Sequence, residues 1–277
     1  DIGFTIAPKL NSAGRMDDAS IALNFLLSKD QSSAYESLAV LDELNSYRKT
    51  IQERISNEAE QKSNKEDRAV VVWAEDWHEG IIGIVASKLS NSHKKPAFIF
   101  SIQNGIAKGS ARANSNINLY DLISKASHLL LGFGGHKNAA GLSLLEENLP
   151  EFKEIINKEI EKADDILHNE FITLGELDVS SVDLEFISII ESFEPYGLEN
   201  NRPVFKVSNA NLVKSELIGK DKNHLKLTLS SDGFVFEALK FFNSNTNLND
   251  KLDLIVSISK NEFRGVVTPS FLIQEFL

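Results

Sequence analysis

Between residues 69 and 165, apolar runs of strand length alternate with stretches of helical period, and this interleaving restricts the fold more than any other feature. AVVVWAEDW reads as a buried strand, GIIGIVASKLSN as a helix, and KPAFIFSI and GIAKGSARA as two further strands. LYDLISKASHLLLGF then reads as a helix, AAGLSLL as a strand and LPEFKEIINKEIEKAD as a closing helix. The pattern predicts an α/β unit whose helices cover a sheet. Turns that leave strands are where such sheets carry ligands, and Asp76, Trp77, His78 and Gly80 occupy one of them.

The flanks have different textures. From Gln31 to about Lys62, the apolar residues Ala34, Leu38, Leu41, Leu44, Tyr47, Ile51 and Ile55 recur every three or four positions with charge between them, which predicts one long amphipathic helix. From Phe171 onward come short strand candidates separated by Gly, Asn and Asp: ITLGELDV, VFKVSNANLV, HLKLTLS, FVFEALKFF, LDLIVSISK and PSFLIQEFL. They predict an all-β barrel or small sandwich, with a five-stranded barrel of the OB type as the specific expectation. The open face of such a barrel binds single strands by stacking, for which Phe205, Phe234, Phe236, Phe241 and Phe263 are candidates against a core role for most of them.

Two segments of the α/β unit carry phosphate chemistry. Gly132 to Leu144, GFGGHKNAAGLSL, places Gly134 and Gly135 beside His136 and Lys137, so that bare backbone N–H groups, an imidazole and an ammonium can face one anion. The competing structural reading is a tight helix-to-strand turn in which the glycines are cap residues. In Gly105 to Asn114, GIAKGSARAN, strand alternation puts Lys108, Ser110 and Arg112 on one face. Arg112 can grip two phosphate oxygens with its planar fork while Ser110 donates a third hydrogen bond. The competing reading there is the wet face of an edge strand.

Charge distribution leaves room for such a ligand despite a net charge of −11. Residues 69 to 150 carry 7 basic and 6 acidic side chains, whereas residues 151 to 277 carry 13 and 22. A near-neutral unit with Lys94, Lys95, Lys108, Arg112 and Lys137 can present a basic groove on an acidic protein. No cysteine is present, which removes disulfides and thiolate metal sites and is compatible with a reducing, cytoplasmic setting. The sequence shows neither a signal peptide nor an apolar run of spanning length. The opening DIGFTIAPKLNSAGRM reads as the middle of a domain, so a fragment lacking its N-terminal portion is expected.

Taken in order, the segments resemble the C-terminal part of RecJ-type exonucleases of the DHH phosphoesterase superfamily. IAPKLNSAGRMDDAS is similar to the end of the DHH catalytic domain, and WHEGIIGIVASKL, GSARAN and GFGGHKNAAGLSL to the DHH-associated domain with its Gly-Gly-His signature. FEPYGLENNRPVF, HLKLTL and NEFRG resemble the family's OB-fold domain, although Glu199-Asn200-Asn201 stands where glycine-asparagine-proline is more usual. The resemblance implies the end of a truncated DHH domain over 1–29, a connector helix over 30–68, an α/β DHH-associated domain with a mixed sheet over 69–168 and an OB-fold-like domain over 169–277.

It further implies 5′-to-3′ degradation of single-stranded DNA in repair and recombination, driven by Mn2+ or Mg2+ in the complete enzyme. No metal is expected on this chain, because the Asp-His-His triplet is absent and the six histidines are scattered, with His78 beside Glu79 a turn residue rather than a ligand. Arg15 would lie beside the scissile phosphate and Asn11 would shape its loop. Ser110 and Arg112, flanked by Lys108, would hold the 5′ phosphate. His136, with Gly134, Gly135 and Lys137, would contact a substrate phosphate. Single-stranded DNA is the implied partner, with single-strand-binding protein or other repair factors beside it and no membrane. The alternatives are a non-catalytic nucleic-acid-binding fragment, and a relative cleaving short oligonucleotides or cyclic dinucleotides, which the β-rich tail disfavours.

Overall fold

The computed structural model describes residues 2–113, 117–162, 172–197, 199–219, 222–241, 243, 247–263 and 265–277. Two compact units follow one another in the chain, residues 1–169 and 170–277. Among the described residues no helix is long and apolar enough to cross a membrane.

After a π-helical segment at Ile2–Ile6, the first unit runs through three α-helices, α1 (Ala7–Met16), α2 (Ser20–Leu27) and α3 (Gln31–Lys62). Asp30 starts α3, its Oδ1 accepting from the Ser33 backbone N–H at 2.9 Å, so the helix opens where a side-chain acceptor satisfies an orphan donor. Leu41, Ile55 and Ala59 of α3 are buried, whereas Tyr47 stays exposed, so the apolar stripe read from the sequence is interrupted midway.

A five-stranded sheet follows, in the order β1-β2-β3-β5-β4, built from β1 (Val70–Ala74), β2 (Ala97–Gln103), β3 (Ile106–Arg112), β4 (Leu130–Gly135) and β5 (Ala139–Leu145). β1 and β2 are parallel, joined through α4 (Glu79–His93); every other pairing is antiparallel. Phe98, Phe100, Ala107, Leu142 and Leu144 face a core completed by α5 (Leu119–Ser124) and α6 (Leu149–Glu161). Val70, Val72, Ala97 and Ile99 face the opposite core, closed by α4 and by Ile55 and Ala59 of α3. β2 is buried on both faces, which is why KPAFIFSI reads as one continuous apolar run.

Asn104 and Gly105 turn β2 into β3 with φ of 53° and 73°, as a two-residue hairpin with both central residues left-handed requires. That turn sets the register. It places Ala107, Gly109 and Ala111 against the core with α6, and turns Lys108, Ser110 and Arg112 to the α4 side.

One expectation is overturned here. LYDLISKASHLLLGF is not one helix: α5 ends at Ser124, and Leu130–Gly135 is β4. Gly132, Gly134 and Gly135 are poor helix formers, and pairing with β5 satisfies the backbone instead.

The second unit is a closed barrel in the order β10-β8-β7-β6-β9, formed by β6 (Phe205–Ile218), β7 (His224–Ser231), β8 (Phe234–Lys240), β9 (Lys251–Phe263) and β10 (Val266–Phe276). Alternation fixes its inside: Leu225, Leu227 and Leu229 of β7 are fully buried. The five-stranded OB-like expectation matches this architecture, with two local corrections. ITLGELDV contributes only a single bridge, Glu176 to Lys206, and is not a strand. An unforeseen helix, α7 (Leu184–Glu191), capped by Asp183 Oδ1 on the Phe186 N–H at 2.8 Å, packs Ile187 and Ile190 into the barrel core.

The stacking candidates divide. Phe205 and Phe236 belong to the core, Phe234 and Phe241 are exposed, and the side chain of Phe263 lies outside the described residues.

Candidate functional site

α4 starts where β1 hands the chain over, and its first turn is built for close approach. His78 is the N-cap, its Nδ1 accepting from the Gly80 N–H at 3.1 Å, which assigns the proton to the other ring nitrogen. Two residues on, α1 comes so near that a β-carbon on Gly80 would lie 2.0 Å from the carbonyl oxygen of Arg15. The Arg15 guanidinium returns a hydrogen bond from Nη1 to the Gly80 carbonyl at 3.3 Å. One turn further, a β-carbon on Gly83 would sit 3.1 Å from Ser110 Oγ and 3.2 Å from Arg112 Nη2. The two glycines thus let α1 and the polar row of β3 close on α4.

The result is a cleft of about 340 Å³ between Gly14 and Arg15 of α1, Gly80 and Gly83 of α4, and Ser110 and Arg112 of β3. Arg112 Nη1 donates to Ser110 Oγ at 3.0 Å and to the Ala111 carbonyl at 2.8 Å, so its fork is held in place. Partial burial, and then the positive charge of Arg15, lower the Arg112 pKa from the ordinary arginine value. Lys108 is engaged differently, its Nζ 3.1 Å from the Glu79 carboxylate, so the cation, hydroxyl, cation row carries one guanidinium with its charge uncompensated rather than two free cations. Two unneutralised guanidiniums and a hydroxyl at a helix N-terminus have the chemistry of an anion receptor.

Beyond β3 the same face of the sheet is bare. Lys108, Ser110 and Arg112 stand opposite Ser143, Gly141 and Ala139 of β5, and Gly132 and Gly134 of β4 follow in register. β-Carbons on Gly132, Gly134 and Gly141 would meet nothing within 4 Å, so a flat, open backbone shelf runs outward from the receptor. Gly135 differs, because a β-carbon there would lie 2.4 Å from the Ala139 carbonyl oxygen at the tight turn. The His136 N–H closes that turn onto Ala139 at 2.8 Å, and the Lys137 carbonyl accepts from the Leu119 N–H at 2.8 Å.

Of the residues read from the sequence, Arg15, Lys108, Ser110 and Arg112 line one cleft. Gly134, Gly135, His136 and Lys137 do not; they form the β4–β5 hairpin, exposed at the end of the sheet where Arg112 pairs with Ala139. Asn11 is exposed on α1, one turn before Arg15, and outside the cleft wall. Sequence reasoning missed Glu79 and Gly83. The signal for Gly83 was its spacing of three from Gly80, one helical turn in a segment already read as a helix.

A larger depression of about 550 Å³ lies by the β2–β3 turn, but Glu75, Asp76 and Glu146 line it and their charge opposes a phosphate.

Comparison with known proteins follows this division of the chain. Residues 66–162 match the model of the DHHA1 domain, and residues 175–275 match the model of the RecJ OB domain. The chain carries a DHHA1 domain and a RecJ OB domain. It is 32% identical over 99% of its length to the single-stranded-DNA-specific exonuclease RecJ of Bacillus subtilis, covering 36% of that protein. Against the protein of the same name from Haemophilus influenzae it is 34% identical over 96% of its length, covering 49% of the relative. The crystal structure of RecJ in complex with Mg2+ from Thermus thermophilus superposes with a TM-score of 0.83 at 26% identity, covering 99% of this chain and 43% of that one. The chain therefore spans half or less of the relatives it matches.

RecJ structures from Thermus thermophilus have been solved with Mg2+ and with Mn2+. Among the described residues no group of three or more His, Cys, Asp or Glu able to hold such an ion occurs. Its donors are cationic and hydroxylic, suited to the anion rather than to the cation of a phosphodiesterase reaction.

Proposed function

We propose that the complete protein degrades single-stranded DNA from the 5′ end in repair and recombination, and that this part of it grips the strand while a metal-bearing domain outside the chain performs hydrolysis. The observation that carries the reading is the Ser110–Arg112 pair, fixed on β3 beneath the first turn of α4 with Arg15 across the cleft. A terminal phosphomonoester offers more charge and more acceptor oxygens than an internal phosphodiester, and Ser110 with Arg112 matches it.

In this reading Arg15 neutralises the scissile phosphate, Asn11 shapes the approach to it, and Lys108 steers the strand through its Glu79-paired ammonium. The open shelf beside β3 lets sugar and phosphate lie against the backbone, with Gly134 leaving room, Gly135 permitting the tight turn, and His136 and Lys137 contacting a phosphate. The barrel of residues 169–277 tracks the strand, residues 69–168 act as the DHH-associated domain, 30–68 as connector, and 1–29 as the end of the catalytic domain. Mg2+ or Mn2+ is the cofactor of the complete enzyme, which works in the cytoplasm beside single-strand-binding protein and other repair factors.

A second reading is a fragment that binds single strands without cutting them, favoured by the lack of a metal-capable cluster among the described residues. Incubating the chain with 5′-phosphorylated and 5′-hydroxyl oligothymidylate in the presence of Mn2+, and following binding and shortening together, separates the readings. Preferential binding of the phosphorylated strand without shortening supports the gripping role, and equal binding of the two ends removes it.

A further inference from the structure

Arg48, on the buried side of α3, takes no part in the cleft wall, yet its charge is left whole. Its Nη1 donates to Gln52 Oε1 at 2.8 Å and its Nη2 to Asn45 Oδ1 at 3.1 Å, both on the same helix. Its Nε is buried and has no partner among the described residues. Nearby cations are treated otherwise: Lys9 meets Asp42 at 2.5 Å, Arg54 meets Glu58 at 3.5 Å and Lys108 meets Glu79. Arg15, Arg48 and Arg112 make no ion pair with any carboxylate among the described residues.

Arg15 and Arg112 line the cleft, and Arg48 stands on α3, the helix on which α1 packs. α1 is tied along α3 by the Lys9–Asp42 ion pair at 2.5 Å, and the Ser12 hydroxyl, which donates to the Lys9 carbonyl at 2.6 Å, lies 3.4 Å from the Leu41 carbonyl. Arg15 follows Ser12 by less than a turn, and Arg48 follows Leu41 by two. Burial first, and then the charge of Arg15, lowers the pKa of Arg48 and of Arg112 alike. Amide partners orient a guanidinium without cancelling it, and a partly desolvated charge acts over a longer distance than a solvated one.

We infer that Arg48 is an electrostatic positioning residue of the anion site, a fixed charge behind Arg15 that sets the preference for a doubly charged terminal phosphate over a singly charged or uncharged strand end. It touches no ligand. Its charge raises the potential in the cleft, and the ligand with the most negative charge gains most. The inference rests on reading Ser110 and Arg112 as the terminal-phosphate site.

Gln52→Glu tests it without removing Arg48, because a carboxylate 2.8 Å from Nη1 would neutralise the guanidinium in place. The probes are 5′-phosphorylated and 5′-hydroxyl trithymidylate, titrated into the whole chain at low ionic strength without metal. The expected result is a fall of about three- to tenfold in the preference for the phosphorylated end, with an unchanged or higher melting temperature. A purely structural Arg48 would be better held by the introduced carboxylate and would leave the preference alone. Arg48→Gln should reproduce the loss, and Arg48→Lys should recover most of it. Full preference in Gln52→Glu, with Arg112→Ala abolishing it, overturns the inference and leaves the site intact. Full preference in Arg112→Ala as well overturns the site and the inference together.

Discussion

Arg15 and Gly80 are locked to each other through two backbone atoms: the Arg15 guanidinium donates to the Gly80 carbonyl, and the Arg15 carbonyl oxygen occupies the space of a Gly80 β-carbon, 2.0 Å from where it would stand. Gly80→Ala therefore forces α1 away from α4, since neither side of the clash is a movable side chain. We expect a loss of about 1–3 kcal/mol in stability together with weaker phosphate binding. Gly83→Ala makes the informative contrast, because its β-carbon meets only the ends of Ser110 and Arg112, at 3.1 and 3.2 Å. Those can shift, and alanine favours the helix by about 1 kcal/mol, so stability should hold while phosphate binding falls. Denaturant melts and oligonucleotide titrations on both variants check the pair; equal stability loss in the two would contradict it.

Arg112→Ala removes the fork that Ser110 and the Ala111 carbonyl hold in place. In the complete enzyme the selection for 5′-phosphorylated over 5′-hydroxyl strands should weaken by roughly 1–3 kcal/mol, the scale of a charge-assisted contact. Competition between the two strand types measures it, and unchanged discrimination removes Arg112 from the role.

Much of this site was legible in the sequence because period-2 alternation is local. Once GIAKGSARA is a strand, Lys108, Ser110 and Arg112 must share a face. The pairing of Lys108 with Glu79 was not legible, since it joins residues 29 apart through the packing of α4 on β3. Nor was β4, because apolar LLL after an amphipathic segment fits a helix as well as a strand, and only the partner strand β5 decides. The barrel was read from its alternation, while α7 was missed although Asp183 before an apolar run is a cap signal. Phe205 and Phe236 show the same limit: composition marks an aromatic, and only the closed barrel turns it inward.

Acid should loosen the start of α3. The Ser33 backbone N–H, and then the Ser33 hydroxyl, hold the Asp30 pKa below its ordinary value of 3.8. A depressed folded-state pKa means that the stabilisation is complete above the unfolded value and fades as pH falls through the folded one. Asp30→Asn keeps a capping acceptor but does not titrate, so its stability relative to the wild type should rise below about pH 4 and stay level above it. Urea melts between about pH 2.5 and pH 7 test the sign, and parallel curves throughout would exclude the cap as an acid-sensitive element.

Glu199 sits in the left-handed region at φ 64°, in a turn that the Asn200 side chain ties to the Phe193 and Pro195 carbonyls at 3.0 and 2.9 Å. The departure from glycine noted in the sequence thus falls where glycine suits the backbone. Left-handed geometry costs a non-glycine residue about 1–2 kcal/mol, partly offset by the greater unfolded-state freedom of glycine. Glu199→Gly should stabilise the second unit by about 0.5–1 kcal/mol, seen as a raised denaturation midpoint; a lowered one would mean that the glutamate side chain supports the turn.

The barrel's share in binding can be measured through salt. A domain that tracks a strand adds phosphate contacts, and each contact to single-stranded nucleic acid steepens the logarithmic dependence of affinity on salt by about 0.7. Removing residues 170–277 should lower affinity for long oligothymidylate and flatten that dependence by this amount per lost contact, while trithymidylate binding stays the same. The second unit has its own core, from Leu225 and Leu227 to Ile258 and Phe271, and the first has two cores of its own, so the cut falls between separately packed bodies. Exposed Phe234 and Phe241 refine the test, because stacking contributes affinity without counterion release. Phe241→Ala should therefore weaken long-strand binding at an unchanged slope, whereas an identical slope after removal of the whole barrel would leave it no role in following the backbone.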